Sequence, residues 1–294
     1  MTTDIPTDVF EEHRPVLLGV AYRMLGRLAD AEDVVQEAWL RWSRADRTDV
    51  REPRGYLVRV TTRLAVDRLR QITSRGETYV GPWLPEPYVT GFGDAVPDTA
   101  ERAVLADSVS LAVLVVLESL SPLERAVFVL REAFGYPYAE IAAVLEREEP
   151  AVRQLAARAR KHVDERRPRY DVDPAQRRDL TERFLAAAAG GDLEGLMAML
   201  APGVRLVGDS GGKAKAPVRV LESADKVGRF LIGAARKSAP DSTVRFLEVN
   251  GGPAALVLAG GEPDFVLQLD IADGRVQSVY VIRNPDKLRS LPTG

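Results

Sequence analysis

The chain contains no cysteine. That absence excludes a disulfide framework, a thiolate metal site and a cysteine nucleophile. Histidine is almost as scarce: His13 and His162 are the whole supply. A zinc centre or a histidine-centred hydrolase triad fits this inventory poorly, and no metal or cofactor site is expected. Long apolar runs are missing too. The longest, Leu111–Leu117, falls far short of the ~20 residues that cross a bilayer. The opening MTTDIPTDVF lacks the basic start and apolar core of a signal peptide. These absences predict a cytoplasmic protein with no membrane partner. Charge of one sign is also lacking, with 40 basic residues against 43 acidic ones. What remains is an ordinary folding inventory, 46 % apolar and 28 % charged over 294 residues. It excludes disorder over most of the length and predicts two domains, or three small ones.

The near-neutral total hides segregation. Residues 51–75 hold seven arginines against Glu52 and Asp67. Residues 150–163 hold Arg153, Arg158, Arg160 and Lys161 with no acid at all, whereas from Tyr170 onward 16 basic residues balance 16 acidic ones. Two short basic stretches in a balanced chain point to local contacts with a polyanion.

Texture changes along the chain as well. Apolar spacing predicts helices over 8–26, 30–45 and 54–73, the last with Leu57, Val60, Leu64 and Leu69 inward. Residues 81–99 then carry four prolines and three glycines, which no helix survives, so 77–100 reads as a linker. Helices resume at 101–118, and Ser121-Pro-Leu-Glu124 has the form of a capping box. A short helix from Tyr138 and a tight turn lead to a last helix at about 150–165. Beyond 168, two helices are followed by runs of strand character: VRLVG, VRFLEV, AALVLA, FVLQLDI and VQSVYVI, with a helix at 224–237. The expected architecture is all-α up to about residue 168, then an α+β cone with a curved antiparallel sheet.

On a wheel of about 100° per residue, Arg153, Gln154, Arg158, Arg160 and Lys161 lie opposite Val152, Leu155, Ala156, Ala159 and Val163. A short helix, a turn and a second helix with an outward basic face form a helix-turn-helix, whose second helix enters the major groove. Taken alone, this face would equally suit plain solvation, but solvated faces usually mix signs. On the helix at 54–73, Arg59, Thr62, Arg63 and Arg70 lie away from the inward stripe, and Tyr56 is placed to stack on a base. Basic and aromatic groups together suit unpaired DNA.

At this point the residues support a resemblance. The run Asp30-Ala-Glu-Asp-Val-Val-Gln-Glu-Ala-Trp-Leu-Arg-Trp42 resembles region 2.2 of bacterial sigma factors of the extracytoplasmic-function (ECF) type. Residues 54–75 resemble their regions 2.3 and 2.4, and 121–166 resemble their region 4. Trp83-Leu-Pro-Glu-Pro87, Asp209-Ser-Gly-Gly-Lys213 and Asn284-Pro-Asp-Lys-Leu288 are similar to motifs of the subgroup carrying a SnoaL-like C-terminal domain. In that subgroup three glycines usually separate the Asp and Lys of the second motif; here Ser210 replaces the first.

The resemblance implies a division of 1–76 as region 2, 77–100 as linker, 101–168 as region 4 and 169–294 as a SnoaL-like regulatory domain. It implies a factor that binds core RNA polymerase and directs initiation at promoter DNA. Asp33, Gln36, Glu37 and Arg41 would meet the β′ clamp helices, and region 4 the β flap. Tyr56, Arg59, Thr62, Arg63 and Arg70 would capture the melted −10 element. Arg153, Gln154, Arg158, Arg160 and Lys161 would read the −35 element. The C-terminal domain would modulate activity through Trp83, Pro85 and Pro87 of the linker and through Asp209, Lys213, Asn284, Asp286 and Lys287. No separate anti-sigma factor is required by that scheme.

Two other classes compete. One is a stand-alone helix-turn-helix regulator, which leaves the helix at 30–45 unexplained. The other is a SnoaL-type isomerase or cyclase with a DNA-binding appendage. Asp209, Glu248 and Asp270 are its candidate bases, yet residues 170–294 hold no histidine or cysteine and only Tyr170 and Tyr280 as tyrosines. No oxyanion stabiliser can be nominated, so no catalytic residue is assigned and no motif indicates a small-molecule ligand.

Overall fold

The computed structural model describes residues 5–46, 50–74, 79–91, 110–165, 174–238 and 240–293. These divide into two compact units. The first joins 5–74 with 110–165; the second joins 79–91 with the chain from 174 onward. The linker expected at 77–100 is thus in part a piece of the second unit, and the expected helix at 101–118 lies outside the described residues before Ser110.

The first unit is helical: α1 (Ile5–Leu25), α2 (Leu28–Arg44), α3 (Pro53–Ser74), α4 (Leu111–Leu117), α5 (Pro122–Phe128), α6 (Tyr138–Leu145) and α7 (Glu149–Asp164). Its first three helices bury Leu17, Ala21 and Met24 of α1, Val35, Ala38 and Trp42 of α2, and Leu57, Val58 and Ala65 of α3. Asp30 of α2, itself buried, accepts two hydrogen bonds from Arg68 of α3, at 3.1 Å from Nε and 2.5 Å from Nη2. That bond holds the Arg68 guanidinium above its usual pKa. The capping box forms as read: the Ser121 amide donates to Glu124 at 3.2 Å and Ser121 Oγ accepts from the Glu124 amide at 3.4 Å, with Pro122 in the first turn. After α5 the chain widens into a π-helical turn, Val129–Ala133. Glu146, left-handed at φ 54°, ends α6 and sets the tight turn into α7.

The second unit packs α8 (Pro174–Gly190), α9 (Leu193–Met199) and α10 (Ala224–Ala235) on one sheet. Its strands are β1 (Val89–Gly91), β2 (Leu200–Asp209), β3 (Leu221–Glu222), β4 (Thr243–Val249), β5 (Gly252–Ala259), β6 (Glu262–Ala272) and β7 (Arg275–Ile282). Their order is β1-β4-β5-β6-β7-β2-β3. All pairings are antiparallel except β2 with β7, which makes the sheet mixed. Phe184, Leu196, Val204, Leu206, Val227 and Val279 form the centre of its core. A single turn, α11 (Pro285–Leu288), follows β7, capped by the Asn284 side chain accepting from the Asp286 amide at 3.1 Å. Strand β1, from the proline-rich segment, pairs with β4 at the sheet edge and was not legible as a strand.

Candidate functional site

Four constellations stand out, three in the helical unit and one in the sheet unit. On α7 the amphipathic reading holds in three dimensions. Val152, Ala156, Ala159 and Val163 are buried, while Arg153, Gln154, Arg158, Arg160 and Lys161 are all exposed. The basic face is acid-free only along the chain, however. Glu149 binds Arg153 at 2.5 Å, Glu124 of α5 binds Arg158 at 3.0 Å, and Glu132 of the π turn binds Arg160 at 2.7 Å. Glu132's bond raises the pKa of Arg160, and the Ser121 hydrogen bond, aided by Arg158, lowers that of Glu124. Exposed pairs of this kind contribute little stability.

On α2, Asp33, Gln36, Glu37 and Arg41 form one exposed face with Leu40, and Glu37 accepts from Arg41 Nε at 3.1 Å. On α3 the placement differs from expectation. Thr62 is fully buried (0 % exposed), so it does not lie away from the inward stripe. The buried arc is wider than a single-stripe reading allows and includes Val58, Thr61, Thr62, Ala65 and Val66, because α3 packs against α5 and α6 as well as α1 and α2. Val60 and Leu64, expected inward, are only partly covered. Tyr56 leans on Trp42 at 5.7 Å between centroids, which fixes its ring. Arg59 and Arg70 are exposed, Arg70 bonding Asp67 at 3.2 Å. Arg63 is engaged within the unit. It donates from Nε to the Val144 carbonyl at 2.8 Å and from Nη2 to the Ala143 carbonyl at 3.3 Å, and pairs with Glu146 at 2.9 Å. A cation there satisfies the orphan carbonyls at the end of α6.

In the sheet unit the three quoted motifs converge. Asp209 ends β2 with no exposure, and its Oδ2 accepts from Lys287 Nζ and from the Leu84 amide, both at 2.7 Å. Its Oδ1 accepts from the Tyr79 hydroxyl. Lys287 also donates to the Leu84 carbonyl, and its ammonium lies 4.1 Å from the centre of the Trp83 ring and 5.2 Å from that of Tyr79. Asn284 Nδ2 donates to the Tyr79 oxygen at 2.8 Å, and Lys213 pairs with Asp286. Pro85 and Pro87 are buried. Gly211, at φ 56°, lies where a Cβ would stand 2.4 Å from Asn284 Nδ2, so only glycine fits. Ser210 is not left-handed; it replaces glycine without strain, its Oγ accepting from the Gly212 amide at 3.3 Å.

The three candidate bases differ in their settings. Asp209 is fully engaged and Glu248 is exposed on β4. Burial pushes Asp270 up to about 6 despite the nearby Arg177, and raises Tyr280 above its ordinary value, with Asp270 adding to that rise. The open cleft beside α8, of about 430 Å³, is lined by Gln176, Asp179, Arg183, Ile271 and Gly274 among others, and Asp270 is not part of its wall. Among the described residues no cluster of metal-ligating side chains occurs, and no helix is long and apolar enough to cross a membrane.

Comparison with known proteins gives the family of the helical regions and the relatives of the whole chain. Residues 9–75 match the family Sigma-70 region 2, and residues 110–163 match Sigma-70, region 4. The chain is 42 % identical to the ECF RNA polymerase sigma factor SigJ of Mycobacterium tuberculosis, covering 96 % of this chain and 93 % of that one. It is 37 % identical to the probable ECF sigma factor SigI of the same species, over 95 % and 93 %. The crystal structure of Mycobacterium tuberculosis SigJ superposes with a TM-score of 0.79, covering 98 % of this chain and all of that one at 40 % identity.

Proposed function

The chain belongs to the ECF RNA polymerase sigma factors, and we propose that its sheet unit modulates initiation by gripping the segment between the two promoter-binding regions. A sigma factor acts with core RNA polymerase and directs initiation at promoters. Within that role, the exposed face Asp33, Gln36, Glu37 and Arg41 suits the β′ clamp helices, and region 4 suits the β flap. Arg59, Arg63 and Arg70, with Tyr56, suit the melted −10 element. The exposed residues of α7 suit the −35 duplex, since a rigid helix fits the major groove and forked guanidiniums match guanine edges. Two modest DNA contacts gain from one another when both lie on one molecule. Net charge near zero is consistent with affinity drawn mainly from polymerase in the cytoplasm.

One observation carries the modulator reading: Lys287 and Asp209 together hold the main chain of Leu84, under the Trp83 ring, in the proline-rich segment. Asp209, the buried carboxylate of the motif, is taken up by the linker segment rather than left available for chemistry. No separate anti-sigma factor is needed if the grip itself sets the working spacing of regions 2 and 4. The test is run-off transcription by core polymerase with the full chain and with a chain ending at Pro168. A several-fold difference at a fixed promoter is expected, in either direction. Lys287→Ala in the full chain should shift activity the same way by less. Equal transcription by the two chains over a range of concentrations would remove the modulator role and return weight to an isomerase-like domain.

A further inference from the structure

Tyr138 opens α6 and stands at the centre of the basic face of α7 without belonging to it. Two guanidiniums flank its ring: Arg131 Cζ lies 4.8 Å from the centroid and Arg153 Cζ 4.8 Å. Tyr138 also acts electrostatically on Arg160, among the smaller causes that raise that arginine's pKa. Acids fix the same two α7 arginines from the side. Arg153 gives Nε and Nη2 to a single oxygen of Glu149 at 2.9 and 2.5 Å, and Arg160 gives Nε and Nη2 to one oxygen of Glu132 at 2.8 and 2.7 Å.

This arrangement has a consequence for reading bases. A guanidinium held along its Nε edge still presents its outer Nη1–Nη2 edge, and that edge matches the O6 and N7 acceptors of guanine. The Nη1 atom of Arg153 makes no bond among the described residues. An exposed arginine ordinarily loses much rotamer freedom on binding, and a side chain already held in its bound orientation loses less. A phosphate contact needs only charge, whereas bidentate base reading needs the plane of the fork to be set.

We infer that Tyr138 is a positioning residue for −35 recognition: its ring sets the plane of Arg153, buttressed by Glu149, so that Arg153 reads one guanine. The inference rests on the reading that α7 enters the major groove. Tyr138 itself touches no DNA in this scheme, and its effect falls on selectivity rather than on overall affinity.

The experiment uses the full chain with core polymerase on a promoter pool randomised through the −35 element, scoring base preference position by position. Tyr138→Leu keeps an apolar side chain at the start of α6 and removes ring and hydroxyl. It should reduce the preference for guanine at one position by about fivefold to tenfold, the range of a weakened bidentate contact. Arg153→Ala should lose preference at that same position, and the double variant should lose no more. Tyr138→Phe, which keeps the ring, should keep the guanine preference. A uniform fall across all −35 sequences with Tyr138→Leu, or an unchanged profile, would overturn the inference. If Arg153→Ala itself leaves the profile unchanged, the groove-reading role of α7 falls and the inference with it. If Arg153→Ala collapses the preference and Tyr138→Leu does not, the groove-reading role stands and only the positioning role is lost.

Discussion

Lys287 is only 5 % exposed, and its ammonium is held by Asp209 and by the Leu84 carbonyl. Removing one member of a buried pair leaves the other charge uncompensated, at a cost of about 3–5 kcal/mol. Lys287→Ala should therefore lower the unfolding temperature of the sheet unit, by about 2–4 °C for each kcal/mol lost. An unchanged melting curve would show that water already reaches Asp209. Asp270 supplies a prediction of opposite sign. Its folded pKa, about 6, lies above the ordinary 3.8 because burial disfavours the carboxylate. The folded state then binds more protons than the unfolded state across that window, so stability is lost as pH rises from about 4 to about 6, by up to about 3 kcal/mol. Asp270→Asn should raise the melting temperature at neutral pH and flatten the profile through that window. A parallel profile for the variant would place the titration elsewhere.

Among the elements, α7 and α2 were legible because a helix writes its environment at a short period. Val152, Ala156, Ala159 and Val163 recur on one face, and so do Ala31, Val34, Val35, Ala38 and Trp42. The partners of the basic face were not legible, since Glu124 and Glu132 arrive from another element across 34 and 28 residues. Thr62 was misplaced for a related reason: packing on two sides widens a buried arc that one stripe cannot reveal. Strand β1 carries three residues, too few for any alternation to show, and its pairing depends on β4 far along the chain. That Asp209, Asn284 and Lys287 meet the segment around Trp83 was readable only through motif resemblance, and the part of Tyr79 not at all, because no local pattern links positions so distant. Two predictions belong at this scale. Glu37→Lys should weaken capture of core polymerase at least tenfold while leaving stability within about 0.5 kcal/mol, as surface substitutions usually do. Binding at the original level in a pull-down would sink the assignment of α2. Arg160→Ala should lower −35-dependent transcription without changing polymerase capture, at a cost of about 1–3 kcal/mol per lost base contact; unchanged promoter activity in Arg160→Ala and Arg153→Ala together would take α7 out of recognition.

For the molecule as a whole, distance decides. Promoter elements centred near −35 and −10 lie about 25 base pairs apart, or about 85 Å along B-form DNA at 3.4 Å per step. A compact unit of about 150 residues has a radius of gyration near 15 Å and is about 40 Å across. In this structure α3 and α7 share one such unit, tied by Arg63 to the end of α6 and by Arg125 to the Met24 carbonyl at 2.6 Å. If α3 and α7 read these elements as proposed, they reach them only after regions 2 and 4 separate. Residues 79–91 belong to the sheet unit, and twenty residue steps separate Gly91 from Leu111 at the start of α4. Twenty residue steps span at most about 70 Å, so releasing the grip lengthens the reach. The lack of cysteine makes this directly measurable. Labels on Ser43→Cys in α2 and Glu165→Cys after α7, both exposed positions, report the separation of the two regions by energy transfer. We expect a distance within about 40 Å in the free chain, a marked increase when core polymerase and promoter DNA are added, and a further population of the separated form with Lys287→Ala. A distance that stays within the compact range while the same sample transcribes would contradict the account.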